Sequence, residues 1–87
     1  MKPILMFMMS TCPYCKSALR WMDRVKAEHP EYSALDITIV DEKKEPDVAD
    51  RYDYYYVPTY YVGGVKVHEG AASKEIVARV FADAYAG

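Results

Sequence analysis

The sequence predicts an α/β domain of element order βαβαββα, a four-stranded mixed sheet flanked by three helices, and three observations carry that prediction. Ile4 to Met9 is an unbroken apolar run; helical periodicity follows from Pro13 and returns after Ser73; and Gly63-Gly64 separates two short apolar segments. A short continuous apolar run bounded by turn residues is the pattern of a strand covered on both faces. Strands joined through a helix run parallel, whereas strands joined by a two-residue turn run antiparallel, so this order yields a mixed sheet.

The elements follow in order. Ile4 to Met9 ends at Ser10-Thr11, whose side chains favour a turn or a helix start. From Pro13 to about His29 the apolar positions Cys15, Ala18, Leu19, Met22 and Val25 recur at helical spacing, and His29-Pro30 ends the pattern. Leu35 to Val40 is rich in β-branched residues and reads as the second strand. The charge run Asp41 to Glu45 reads as a solvated turn without a functional role. Pro46 suits the first position of a helix, and Val48, Ala49 and Tyr52 give it a short apolar face. Tyr60 to Val62 and Val65 to Val67 form a hairpin around Gly63-Gly64, glycine being free to adopt the positive φ of a tight turn. Ser73 is a candidate N-cap for a last helix with Ile76, Val77, Val80, Phe81, Ala84 and Tyr85 along one side.

At 87 residues, the chain is expected to form one domain over 1–87. About half the residues are apolar and 28% are charged, which is globular, and a formal charge of −2 offers no electrostatic footprint for nucleic acid. The apolar start is shorter than a signal-peptide core and far shorter than a membrane span, so a cytoplasmic monomer with no membrane partner is expected. The one compositional oddity is the tyrosine-dense stretch Tyr52 to Tyr61. Strand and core packing is expected of Tyr54 and Tyr60; for Tyr55 and Tyr56, beside Pro58, a substrate surface and a structural role stand level.

Only two cysteines occur, Cys12 and Cys15, too few for the bridged framework of a small secreted fold. Residues three apart across the first turn of a helix meet the roughly 4.4 to 6.8 Å Cα separation of a disulfide, so this pair opens and closes without deforming the backbone. Cys12 at the helix N-terminus faces unpaired N–H groups and the positive end of the macrodipole, which favours a thiolate nucleophile. Cys15, one turn inside on the apolar face, remains a thiol until it attacks the mixed disulfide, and is the resolving residue. Pro13 fixes the helix entry and Tyr14 presents a ring for docking. The pair is also half of a zinc site, but His29 and His68 have no ligand spacing to complete it.

Thr11-Cys12-Pro13-Tyr14-Cys15 after an apolar strand, with Val57-Pro58-Thr59 before a glycine-turn hairpin, resembles a glutaredoxin, and the element order matches the thioredoxin-like fold across nearly the whole chain. The resemblance implies a thiol–disulfide oxidoreductase acting on disulfide-containing protein clients or glutathione mixed disulfides. It implies glutathione as co-substrate, with glutathione or a reductase as electron donor. It also implies a cis Pro58 facing the cysteines, so that the backbone of Val57 pairs with an extended substrate; a turn proline without a catalytic part is the plain alternative.

Two departures bear on glutathione. Met9 stands where such proteins usually carry a lysine, and Glu69-Gly70-Ala71-Ala72-Ser73 lacks the aspartate that holds the γ-glutamyl group, which brings the stretch closer to thioredoxin. Backbone N–H groups near Ala72 and Ser73 are left to hold a carboxylate, with Lys16 or Lys66 as compensating charges, so weakened glutathione binding is expected. The family also includes dimers bridged by an iron–sulfur cluster through the first cysteine and two glutathiones, a reading that Pro13 argues against. A chaperone or interaction domain using the tyrosine surface is the remaining alternative.

Overall fold

The computed structural model describes residues 1–87. Four strands, β1 (Ile4–Met8), β2 (Ile37–Asp41), β3 (Thr59–Val62) and β4 (Val65–Glu69), form one sheet in the order β2-β1-β3-β4. β1 runs parallel to β2 and antiparallel to β3, and β4 pairs antiparallel with β3, the mixed sheet expected from the connections. Three helices, α1 (Pro13–Glu28), α2 (Pro46–Ala49) and α3 (Lys74–Ala86), complete the βαβαββα order. No helix is long and apolar enough to cross a membrane.

The apolar run of β1 is covered on both faces, and its alternation sorts the core into two parts. Ile4, Met6 and Met8 join Tyr60 and Val62 beneath Ala18, Met22 and Val25 of α1 and Val77, Val80, Phe81 and Ala84 of α3. Phe7 points the other way, into a smaller core with Val40, Ala49 and Tyr61, edged by Val48 and Tyr54. Of the residues expected along the inner side of α3, Tyr85 is exposed and Ile76 only half-buried. The Ser73 hydroxyl accepts the Ile76 N–H at 3.2 Å, so the expected N-cap is formed.

Element boundaries differ from the expectation where tertiary pairing outweighs pattern. β2 begins at Ile37 rather than Leu35, in register with Ile4, because Pro30–Ala34 coils into a 3₁₀ turn that the sequence reading did not anticipate. Its Tyr32 ring packs edge-on against Phe81 and Tyr85, tying that turn to α3. Gly63 and Gly64 turn the hairpin with φ of 57° and 83°, both in the left-handed region open to glycine. β4 runs two residues beyond the expected Val67, because Tyr60 pairs with His68 while Tyr61 pairs with Lys66, leaving Val67 as the extra residue of a bulge. That bulge carries Glu69 to a position opposite Thr59, next to Pro58.

Phe7 has no exposed surface and is ringed by Tyr52, Tyr54 and Tyr61, at centroid distances of 4.9, 4.8 and 5.9 Å. Truncation leaves a cavity that three rigid rings do not collapse into, so Phe7→Ala is expected to cost about 3 to 5 kcal/mol. Urea unfolding of the reduced protein checks this; a loss under about 1 kcal/mol would show that the smaller core contributes little.

Candidate active site

The cysteine pair stands where β1 turns into α1. Cys12 occupies the N-cap position with extended backbone angles, Pro13 takes the first helical position, and the Cys12 carbonyl accepts the N–H groups of Cys15 and Lys16, both at 3.1 Å. No side chain caps this helix, so its first N–H groups are left facing the sulfur. The Cys12 thiol therefore ionises below its usual range, chiefly through the backbone N–H of Cys15, with the Cys15 thiol and the Tyr14 N–H adding to it. Slight burial and the charge of Glu42 oppose the shift without reversing it.

Cys15 has no exposed surface, and burial pushes its thiol up to about 11; the charges of Cys12 and Glu42 add to the rise. The Met9 N–H points at its sulfur from 3.4 Å and acts in the opposite direction. Two thiols three residues apart are thus driven in opposite directions, one by backbone donors at a half-open helix end, the other by the core. Pro13 and Tyr14 are exposed, Tyr14 by 62% of its surface.

In the loop that leads into β3, the Val57-Pro58 bond is cis and Pro58 is buried. Val57 is half-buried against both parts of the core, and its N–H and carbonyl oxygen make no intramolecular hydrogen bond. Its neighbours are all held. The Tyr55 and Tyr56 N–H groups donate to one oxygen of Glu69, at 2.5 and 3.0 Å, the Thr59 hydroxyl donates to the Tyr56 carbonyl, and the Gly70 N–H donates to the Pro58 carbonyl at 2.9 Å. Tyr55 and Tyr56 are left 84% and 70% exposed, the disposition a contact surface needs, while Tyr54 is half-buried and Tyr60 fully buried.

The residues expected to meet glutathione are differently committed. The Ser73 hydroxyl is engaged in its cap, and Ala72 packs against the main core. His68 Nε2 lies 3.1 and 2.9 Å from the Gly70 and Ala71 carbonyls and braces the loop before α3. Lys66 pairs with Glu69 at 2.7 Å and donates to the Asp53 carbonyl at 3.2 Å, while Lys16 stands exposed on the first turn of α1.

Sequence reasoning overlooked three carboxylates. Asp41 accepts the Ser10 and Lys43 N–H groups at 3.3 and 2.9 Å, tying the turn before Cys12 to the end of β2. Glu42 accepts the Tyr54 hydroxyl at 2.7 Å and lends its field to both cysteines. The run Asp41 to Glu45, read as solvated and without a role, therefore braces the site at its first two residues. Glu69 left a single sequence signal, its i,i+3 spacing from Lys66.

A cysteine pair at a helix start and a cis-proline at the entry to β3, on a four-stranded mixed sheet, define a thioredoxin-like domain. Solved structures agree on the fold. The oxidised thioredoxin of Plasmodium falciparum is 19% identical, with a TM-score of 0.73 over 99% of this chain and 82% of that one. An uncharacterized thioredoxin-like protein from Clostridium perfringens is 27% identical, with a TM-score of 0.70 over 95% and 70%. A chain described as a malarial protein is 15% identical, with a TM-score of 0.73 over 94% of each. No curated protein matches the chain. The glutaredoxin family model matches residues 4–67, and the chain belongs to the glutaredoxin family. It is, in general terms, a thiol–disulfide oxidoreductase.

The Glu69 clamp titrates. Its carboxyl is held down to about 2, first by Lys66 and then by the Tyr55 and Tyr56 N–H groups. The folded value lies below the roughly 4.3 of an unfolded glutamate, so the contribution to stability is present above that value and is lost as pH falls towards 2. The Tyr55 and Tyr56 amide resonances should accordingly titrate with a midpoint near pH 2 and lose that transition in Glu69→Gln. A midpoint at the ordinary value of about 4.3 would show that the clamp is open in solution.

Proposed function

We propose that the protein reduces disulfides of protein clients by a dithiol mechanism, with Cys12 as nucleophile and Cys15 as resolving thiol. The observation that carries this reading is the opposite displacement of the two thiols: Cys12 lowered by helix N–H groups, Cys15 pushed up to about 11 by burial. A lowered thiol supplies the thiolate that attacks a client disulfide near neutral pH, and a protonated, buried neighbour does not compete for that disulfide. Once the mixed disulfide has formed, the geometry of one helical turn favours attack by Cys15 on Cys12 and release of the reduced client.

The unpaired N–H and carbonyl of Val57, between residues whose own backbone groups are held, support docking of an extended client segment by main-chain hydrogen bonds. Tyr14, Tyr55 and Tyr56 supply exposed aromatic contact around it. Glutathione remains the proposed donor that returns the oxidised pair to dithiol, held by backbone N–H groups near Ala72 and Ser73 rather than by charged side chains. Met9 in place of a lysine and the engagement of Lys66 with Glu69 support weak rather than tight glutathione binding. A protein reductase is the alternative donor, and the protein acts as a cytoplasmic monomer in this reading.

Three measurements check the roles. The rate of alkylation by iodoacetamide should rise with pH through a midpoint below 9.0 for Cys12, while Cys15 remains protected up to about 11. Cys12→Ser should abolish all disulfide reduction. Cys15→Ser should keep turnover of glutathione mixed disulfides but lose reduction of protein disulfides; a variant that still reduces protein disulfides at the original rate would overturn the assigned roles. Adding glutathione or a thioredoxin-type reductase separately to the oxidised protein identifies the donor.

A further inference from the structure

One buried polar side chain has no hydrogen-bond partner. Tyr60 lies in β3 with no exposed surface, and its hydroxyl makes no hydrogen bond. The neighbouring tyrosines show how unusual this is: the Tyr54 hydroxyl donates to Glu42 at 2.7 Å, and that of Tyr61 to the Asp53 carbonyl at 2.8 Å. An orphaned buried hydroxyl is destabilising, and phenylalanine would fill the same space without that cost. Tyr60 belongs to the same core as Cys15, itself without exposed surface, and Cys15 is the one ionisable group whose field reaches its hydroxyl.

We propose that Tyr60 is the internal hydrogen-bond donor for Cys15: its hydroxyl, without a partner in the resting core, comes into hydrogen bond with that sulfur when it becomes a thiolate in the resolving step. The inference rests on the reading of Cys15 as the resolving thiol. Resolution requires Cys15 to give up its proton to solvent, attack the Cys12 sulfur of the mixed disulfide and expel the client's second sulfur as a thiolate, which takes up a proton in turn. One S–S bond forms as another breaks, and two electrons pass from the cysteine pair to the client. Tyr60 donates a hydrogen bond and keeps its proton throughout; burial, with the field of Cys15 added, pushes its own ionisation upward.

The surroundings of Cys15 leave this donor something to do. It faces Cys12 from the start of α1, Glu42 from the loop after β2, and the Met9 N–H from the turn after β1. Once Cys12 is bound in the mixed disulfide it carries no charge, so burial and the Glu42 carboxylate are what disfavour a Cys15 thiolate, and a single backbone N–H opposes them. A hydrogen bond to an ionised group in a dry core is among the stronger kinds, and it forms in the reacting state rather than in the resting thiol.

Tyr60→Phe tests the proposal. With Cys12 loaded as a mixed disulfide with thionitrobenzoate, closure by Cys15 releases that chromophore. In Tyr60→Phe release should slow about tenfold at neutral pH, and the pH at which the rate levels off should move up. Alkylation of Cys12 in the reduced variant should keep its rate and pH midpoint, and the urea midpoint of the reduced variant should hold or rise. Unchanged closure and an unchanged pH profile would overturn the inference. So would a destabilised variant, which would show that the hydroxyl serves a structural partner. Cys15→Ser, loaded the same way, should release nothing; release at the original rate would sink the reading of Cys15 itself and leave no step for Tyr60 to assist.

Discussion

The site depends on a difference in solvation between two sulfurs one helical turn apart. The same helix start that leaves Cys12 half-open to water, with backbone N–H groups aimed at it, carries Cys15 into the buried core that Met22, Val25 and Tyr60 also share. Hydrogen bonds from N–H groups stabilise the charged form of the first; desolvation penalises the charged form of the second. Neither effect needs an acid or base nearby, and the one carboxylate whose field reaches both sulfurs, Glu42, acts against the lowering of Cys12. The backbone donors outweigh it because they hydrogen-bond the charged form directly, whereas Glu42 acts only through its field. The reactive state is thus written into chain geometry: β1 ends at Met8, the turn places Cys12 at the cap, and burial of the α1 stripe fixes which way Cys15 points.

That geometry is itself braced, and the braces share a device. Turns at the edge of a sheet leave backbone N–H groups that no ladder satisfies, and a carboxylate that accepts two of them fixes the turn. On the cysteine side the Asp41 carboxylate takes the N–H groups of Ser10 and Lys43; on the proline side Glu69 takes those of Tyr55 and Tyr56. Each carboxylate is held ionised by what it accepts, Asp41 first by Lys43 N–H and Glu69 first by Lys66, so the braces are strongest in the pH range where a thiolate is needed. Between them the rings of Phe7, Tyr52, Tyr54 and Tyr61 form a stiff layer under the loop, and Tyr54 carries the layer to Glu42.

Features with a local physical cause were legible in the sequence. The apolar run of β1, the 3.6-residue stripe Cys15, Ala18, Met22 and Val25, the glycine turn and the Ser73 cap each act over a few residues, and each was found where its chemistry placed it. Features that depend on register were not. β4 reaches His68 and Glu69 because a bulge at Val67 changes which residue meets which, and no alternation in the sequence announces a bulge. Asp41 and Glu42 looked like part of a solvated charge run because their partners, Ser10 and Tyr54, lie 31 and 12 residues away. The 3₁₀ turn of Pro30–Ala34 is held by the contacts of Tyr32 with Phe81 and Tyr85, at the other end of the chain.

The same distinction bears on what the site selects. Read as a string, the region after the hairpin offers Lys66 and Ser73 as groups for the carboxylates of a small tripeptide. Folded, Lys66 is drawn into the Glu69 clamp and the Ser73 hydroxyl into its helix cap, so redirecting either towards a ligand would break a bond that holds the scaffold. The Val57 backbone and the exposed rings of Tyr14, Tyr55 and Tyr56 are uncommitted. Main-chain groups and aromatic faces recognise extension and apolar surface rather than charge, and a strand of unfolded or flexible protein presents both. Under the proposed reading, the charged side chains thus hold the loops in place, and discrimination among disulfides falls to the unpaired backbone of Val57 and the rings around it.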